Sequence, residues 1–421
     1  MGPLLSPLRL PGFRNLTGAY MANEVGNWLG EIALAILVYD QTGSPLATAA
    51  LFIGLQFLPA FLGPPLVSRL EALPSRQSLA GLYATEAVAF AVLGLLADDF
   101  VLAAVIVLGV FDGTLALAAR SLTRAAAASI LQPSGLLREG NAVFNIGFTA
   151  SAAAGPVVAG VVVAGAGPQA ALFADAVSFL LVAVLIATTR GLPRVEFDTS
   201  SWTERFRDGL RYVRERPALR RLLSAQAAAF VFFYVVIPIE VVFAKETLDA
   251  GDAGYGALLS SWGIGMVMGS LAFAALRRLS LRALLAVSTL AIGLGYLGTG
   301  VAPTLLAACI ASVIGGAGNG MQWVAMVSAV QELTGPSFQA RVMAMLESLS
   351  NAMPGLGFVI GGVVAAVLSP RASFVVAGAG VLIVLGIAAI AMKRTGWRGD
   401  QPPEDVLAET GEGAAAPPEP A

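Results

Sequence analysis

Histidine is missing from all 421 residues, which excludes histidine-based catalytic triads, histidine metal sites and imidazole proton relays. Cysteine occurs once, at Cys309 within an apolar run, so no intramolecular disulfide can form. Charge is scarce as well: only 12% of the residues are Asp, Glu, Lys or Arg, too few to clothe a water-facing surface of this size. The lysines are Lys245 and Lys393, and neither follows a glycine, so a phosphate-binding loop of the Gly-Lys type is absent and ATP hydrolysis by that route is excluded. The net charge of −2 and the scatter of arginines among short segments offer no broad basic face, and no nucleic-acid partner is expected.

What the chain has instead is apolar length. Hydrophobic residues make up 57% of it, and the mean hydropathy is +0.79. A hydrocarbon core of about 30 Å takes roughly 20 helical residues to cross, and only helices or closed barrels satisfy the backbone there. The long continuous runs predict an all-α membrane protein with twelve spans: Asn15 to Tyr39, Leu46 to Val67, Ser78 to Ala97, Phe100 to Ala119, Asn141 to Gly165, Gln169 to Thr189, Leu222 to Phe243, Tyr255 to Leu276, Ala283 to Val301, Thr304 to Val330, Val342 to Leu368 and Ala372 to Met392. The first run lacks a small-residue cleavage pattern and is expected to stay as the first span.

Charge sorting tests this parsing, because basic residues are retained on the cytoplasmic side. With the amino terminus inside, all but Lys245 and Arg371 of the 25 basic residues fall on that side, which predicts cytoplasmic termini and a plasma (inner) membrane location. The polar stretch 191–221 is expected to link two halves, 1–190 and 222–392, through an amphipathic helix on the membrane surface, since Trp202, Phe206, Leu210 and Val213 recur at helical spacing. The tail 393–421, rich in Pro, Ala, Gly and Glu, is expected to be disordered. An internal repeat supports two parallel halves: Gly155 to Ala164 matches Gly357 to Ala366 at six of ten positions, at an offset of 202 residues.

Acids inside spans are the candidate functional groups, since an ionised side chain at the bilayer centre costs about 2.5 to 3.5 kcal/mol on insertion scales and is retained for a partner or a wet cavity. In the first span Tyr20, Glu24, Asn27 and Glu31 fall on one narrow arc at 100° per residue, with Asn23 beside them. Asp112 lies near the middle of the fourth span and Glu86 near the middle of the third. Asn145, Gln226, Asn319, Gln322, Glu347 and Asn351 add polar groups elsewhere, and Tyr234 and Trp323 are aromatic candidates for a cavity wall. No basic residue is expected deep enough to neutralise these acids, so Glu24, Glu31 and Asp112 are candidates for reversible protonation. The amides suit hydrogen bonding between helices equally well. Gly293-Leu-Gly295-Tyr-Leu-Gly298 fits a dinucleotide pattern by letter, yet no strand precedes it, and close helix packing accounts for it.

Several stretches together resemble the major facilitator superfamily, and within it the drug-efflux branch of macrolide-efflux and enterobactin-exporter proteins. They are Gly26-Asn-Trp28 through Val38-Tyr-Asp-Gln-Thr-Gly-Ser44, Arg124 followed by Leu131-Gln-Pro133, Gly140-Asn-Ala142 through Gly155-Pro-Val-Val-Ala-Gly160, Asp175-Ala-Val-Ser-Phe179, and Gln331-Glu-Leu333 through Arg341-Val-Met343. The resemblance implies two pseudo-symmetric six-helix bundles, with helices one, four, seven and ten around a central cavity. It implies that Gly155, Pro156 and Gly160 form an exporter hinge in the fifth helix. It also implies gating roles for Arg69 and Arg76 of the loop after the second helix, where Ser68 replaces the usual aspartate, and for Arg124 and Arg341. Asn27 stands where the branch often has aspartate, which would pass its protonation role to Glu24 or Glu31. The expected function is proton-coupled export of amphiphilic small molecules by alternating access, as a monomer, without a cofactor or metal and with no enzymatic activity. Import or lysolipid flipping on the same fold, and a non-transporting membrane sensor or scaffold, are the alternatives.

Overall fold

The computed structural model describes residues 3–70, 73–189, 192, 202–276, 278–335 and 338–399. All regular structure among them is helical. Ten helices are long and apolar enough to cross a membrane. One of these, Leu137–Thr188, would extend about 78 Å at 1.5 Å per residue, far more than one crossing needs. It breaks at Gly167, whose φ of 82° is open to glycine alone, and Pro168 starts the next helix, so it supplies the fifth and sixth spans. The first span, Pro11–Thr42, is 32 residues long and falls short only in apolarity, because it carries the polar stripe. With these two the crossings number twelve, as the hydropathy pattern predicts, and an even count returns the chain to its starting face.

Local chemistry explains the ends and breaks. Ser44, Ser280, Thr304 and Ser369 each accept the backbone N–H three residues on and cap the second, ninth, tenth and twelfth spans. In the second span Pro59 cannot donate to the carbonyl of Leu55, and the helix widens into a π-turn over Ile53–Phe57, closed by Leu58 N–H on Ile53 at 2.9 Å. The seventh span, Pro217–Thr247, is interrupted between Phe233 and Glu240, around Pro238, and the eleventh breaks at Met353 before Pro354.

The two halves meet along two related seams. Gly160 of the fifth span lies against the eighth, where an added Cβ would stand 3.0 Å from the Gly256 Cα. At the offset of 202, Gly362 of the eleventh span lies against Ala49 of the second, where an added Cβ would stand 2.8 Å from the Ala49 Cβ. Gly155 rests on Trp28 of the first span, and its repeat partner Gly357 rests on Tyr234 of the seventh. The sequence repeat is therefore a repeated packing surface, with small residues letting helices approach where lipid supplies no hydrophobic drive.

These seams are tight toward the face remote from the termini. There the Tyr39 hydroxyl donates to Glu246, and Lys245 Nζ lies 2.5 Å from Asp40 and 2.7 Å from Asp252. Ile239, Val241, Val242 and Ala244 of the seventh span are packed into the core of the amino-terminal half. Toward the terminus-bearing face Phe61, Leu62, Ile146, Met268 and Leu271 are exposed.

Two expectations change. The fourth span runs Leu102–Leu131, well past Ala119, so Arg120 and Arg124 lie within a helix and not in a loop. The helix expected in the linker is present as Trp202–Glu215. Leu210 is exposed, while Tyr212 stacks on Phe338 at 4.2 Å and its hydroxyl accepts the N–H of Gly335, which pins the helix to the carboxy-terminal half. The side chains of Trp202 and Phe206 are outside the described residues. The start of the tail is packed: Trp397 is buried, its indole donates to Glu332 at 2.8 Å, and the N–H of Leu281 donates to the carbonyl of Gly399. One large aromatic ring anchors a segment whose composition alone reads as disordered; the stretch 400–421 lies outside the described residues.

Candidate functional site

Between the halves lies a cavity of about 300 Å³. Glu24, Asn27 and Glu31 enter it from one face of the first span, Gln56 from the π-turn of the second, Asp112 and Arg120 from the fourth, Tyr234 from the break in the seventh and Asn351 from the eleventh. The helical period places the stripe here, and the adjoining face of the same helix explains its neighbour. Gly26 and Gly30 leave room for the Asp175 carboxylate of the sixth span, whose oxygens occupy the space that Cβ atoms at both positions would claim.

The polar groups are unevenly matched. Arg120 Nε stands 3.8 Å from Glu24 Oε1, and Gln56 donates to Glu31 at 3.3 Å. Asp112 is 6% exposed, and its Oδ1 has no hydrogen-bond partner among the described residues. Glu86 is fully buried and, among the described residues, neither of its carboxyl oxygens has a partner; Asp175 accepts from Ser178 at 3.0 Å while its second oxygen has none among them. Bare ionised carboxylates in so dry a setting are costly, and a bound proton removes most of that cost. The expectation that no cation reaches the acids fails, because the extended fourth helix carries Arg120 within 3.8 Å of Glu24 and within electrostatic reach of Glu31 and Glu86.

Not every predicted residue joins this site. Tyr20 is buried against Phe144 at 4.7 Å between ring centroids, and Asn23 is buried off the cavity wall. Gln226 and Gln322 line a separate cavity of about 100 Å³ within the carboxy-terminal half, and with Asn319 and Trp323 they line another of about 40 Å³. Gln322 there donates to Thr289 at 3.1 Å. The tenth span, expected beside the first, fourth and seventh, thus contributes no residue to the wall of the central cavity. Arg69, Arg76 and Arg124 are exposed, and Arg341 sits over the Phe338 ring at 5.1 Å with Asp208 at 3.8 Å. Pro156 and Gly160 lie on the seam with the eighth span, and Gly155 packs on Trp28 within its own half. The side chains of Asn145 and Glu347 are outside the described residues. Sequence reasoning passed over Arg120 and Gln56 as site residues, and Asp175 beside them. The signal available was the same for each: a polar side chain inside an apolar run.

Two six-helix halves joined at glycine seams, with a polar cavity between them closed at one face, define a membrane transporter of the major facilitator type and not an enzyme. The chain belongs to the transmembrane secretion effector family, whose pattern matches residues 3–410. It is 26% identical over 419 residues to the multidrug efflux pump Tap of Mycolicibacterium fortuitum, covering 92% of this chain and 96% of that protein. Among solved structures it resembles a bacterial homologue of the human lysosomal transporter Spinster in an inward-facing, unoccupied conformation, with a TM-score of 0.72 at 14% identity over 92% of this chain and 99% of that one. A variant of the nucleoside transporter NupG gives a TM-score of 0.70 at 14% identity, covering 90% and 99% of the two chains. At such identities the structures share the fold.

Proposed function

We propose that this protein is a proton-coupled exporter of amphiphilic small molecules, with both termini in the cytoplasm and the two halves, 1–190 and 222–392, rocking as units within the plasma membrane. On that orientation the conformation described faces inward: the cavity opens to the cytoplasm, and the latch around Lys245 closes the outer face. The observation that carries the reading is the meeting of Glu24, Glu31 and Asp112 in one cavity between the halves, with only Glu24 paired to a cation among the described residues. A carboxyl in a crevice open to one side at a time exchanges protons with that side alone. Substrate and proton then compete for a shared cavity whose wall mixes acids with Trp28, Phe90, Phe148 and Tyr234. Similarity to a multidrug efflux pump supports the outward direction.

The test is transport in proteoliposomes under an imposed pH gradient, with a panel of dyes, macrolides and siderophores. Gradient-driven accumulation should collapse with a protonophore, and Glu31→Gln or Asp112→Asn should abolish it while the protein still inserts and folds. Flux in the opposite sense would make it an importer. Indifference to the gradient and to both variants would leave a sensor or scaffold.

A further inference from the structure

The cavity of about 100 Å³ inside the carboxy-terminal half lies among the seventh, ninth, tenth and twelfth spans and shares no lining residue with the central one. Most of its wall is aliphatic, with Leu222, Leu285, Met326 and Leu385 as the bulky members. Gln226 is the exception. It is 5% exposed, its side chain lines both this cavity and the adjoining one of about 40 Å³, and its amide has no hydrogen-bond partner among the described residues. Gln322 lines both cavities as well, but it is committed to Thr289 at 3.1 Å. A primary amide inside an apolar bundle is costly unless something answers it. The cation in the wall, Arg282, is directed elsewhere: it donates to the carbonyls of Ala389 and Trp397, each at 3.4 Å. No acid lines the cavity among the described residues. Trp397, held by Glu332, walls it toward the terminus-bearing face, while Ala389 of the twelfth span is exposed and marks the side on which it opens.

We propose that this cavity is a second ligand site, which binds a small neutral amphiphile: a single ring or short alkyl body carrying one hydroxyl or carbonyl, with Gln226 as its polar anchor. Size sets the body. An apolar cavity of about 150 Å³ takes a benzene ring, and the two adjoining cavities, which meet at Gln226, Ala229 and Gln322, together approach that room. Charge sets the neutrality, because an ion would enter a low-dielectric site with no counter-ion waiting for it. The bare amide sets the polar group. A purely apolar molecule gains nothing here that lipid does not offer and leaves Gln226 unanswered. A hydroxyl or carbonyl meets a group that donates through its nitrogen and accepts through its oxygen, and a site built to hydrogen-bond rejects the analogue that cannot. All four spans belong to one half, so rocking of the halves does not carry the occupant across the membrane. The site is therefore modulatory, wedging the seventh span against the twelfth, and no part of the proposed proton coupling enters it.

The test compares two probes of nearly the same shape, 4-fluorophenol and 4-fluorotoluene, which differ in a hydroxyl against a methyl group. Fluorine NMR of the full chain in lipid nanodiscs reads the bound probe, and protein-free nanodiscs give the part that merely dissolves in lipid. The phenol should show a bound resonance that saturates and is displaced by unlabelled phenol. Relative to its partition into lipid, the toluene should bind at least tenfold more weakly. Gln226→Met, which keeps the length and removes the amide, should weaken the phenol about tenfold, leave the toluene unchanged and so abolish the preference. Should that variant fail to fold, Gln226→Asn withdraws the amide by one methylene and should likewise weaken the phenol more than the toluene. Ala225→Leu, which fills this cavity and leaves the central one untouched, should remove the bound resonance of both probes. Absence of any saturable resonance overturns the proposal. So does a phenol resonance indifferent to the Gln226 and Ala225 variants, which would place the probe in the central cavity. Loss of this site would leave the export reading standing, and failure of export would leave this site standing.

Discussion

Replacing Lys245 by alanine should open the outer face. The lysine makes one bond within its own half, to Asp252 at 2.7 Å, and one across the interface, to Asp40 at 2.5 Å. Only the second is broken when the halves part. The side chains of Lys245 and Asp40 are 20% and 44% exposed, so the bridge is partly screened and is worth more than a fully exposed pair but less than a buried one, about 1 kcal/mol. Removing the ammonium also leaves Asp40 and Asp252 as uncompensated neighbours of like charge, which adds roughly 0.5 kcal/mol at an effective dielectric near that of water. The total of about 1.5 kcal/mol corresponds to roughly a tenfold shift of the closed-to-open ratio. The distance distribution between labels at Gln41 and Ala253 measures it at fixed pH. Asp40→Asn should shift the ratio nearly as far as Lys245→Ala, whereas Asp252→Asn should shift it much less, because that bond stays within one half throughout. High salt should narrow the differences. Equal effects of Asp40→Asn and Asp252→Asn would refute the reasoning, as would an unchanged distribution in Lys245→Ala.

Gly256→Leu should separate the fifth and eighth spans and disfavour the closed outer face, by about 1 to 3 kcal/mol for an overpacked contact, because a Cβ there meets the carbonyl of Pro156 and the Cα of Gly160; cross-linking across the seam would report it. Glu86→Met should raise the thermal unfolding temperature, since a fully buried carboxyl whose two oxygens lack partners among the described residues is a liability that an apolar side chain of similar volume removes; a lower temperature would mean that the carboxyl has a partner. Arg120→Gln should change unfolding by less than about 1 kcal/mol, because the arginine is 42% exposed, while altering transport through Glu24. Trp397→Ala should destabilise the carboxy-terminal half by roughly 3 kcal/mol through loss of a buried ring and of its hydrogen bond to Glu332, measurable by thermal unfolding in detergent.

Twelve crossings, the even return of the chain and the two-fold repeat were all legible in the sequence, because each depends on local properties. Apolar length sets a span, serine or threonine before an apolar run caps one, and glycine with proline breaks one. The stripe of Glu24, Asn27 and Glu31 was legible for the same reason, since residues three and four apart on a helix must share a face. Which partner each face meets is not local. The fourth helix continues through Arg120 because buried neighbours outweigh the charge, and nothing within that segment announces that its guanidinium will meet Glu24 from a hundred residues earlier. Gln226 and Gln322 look the same in sequence as Gln56, yet packing within the carboxy-terminal half withdraws them from the central cavity. Asp175 is admitted by two glycines on another helix, and the segment after the break in the seventh span finds its place in the core of the opposite half only on assembly. A membrane helix presents several faces of similar apolarity, so the choice among them falls to shape, to small residues and to the few polar groups, and those act only once the helices are assembled.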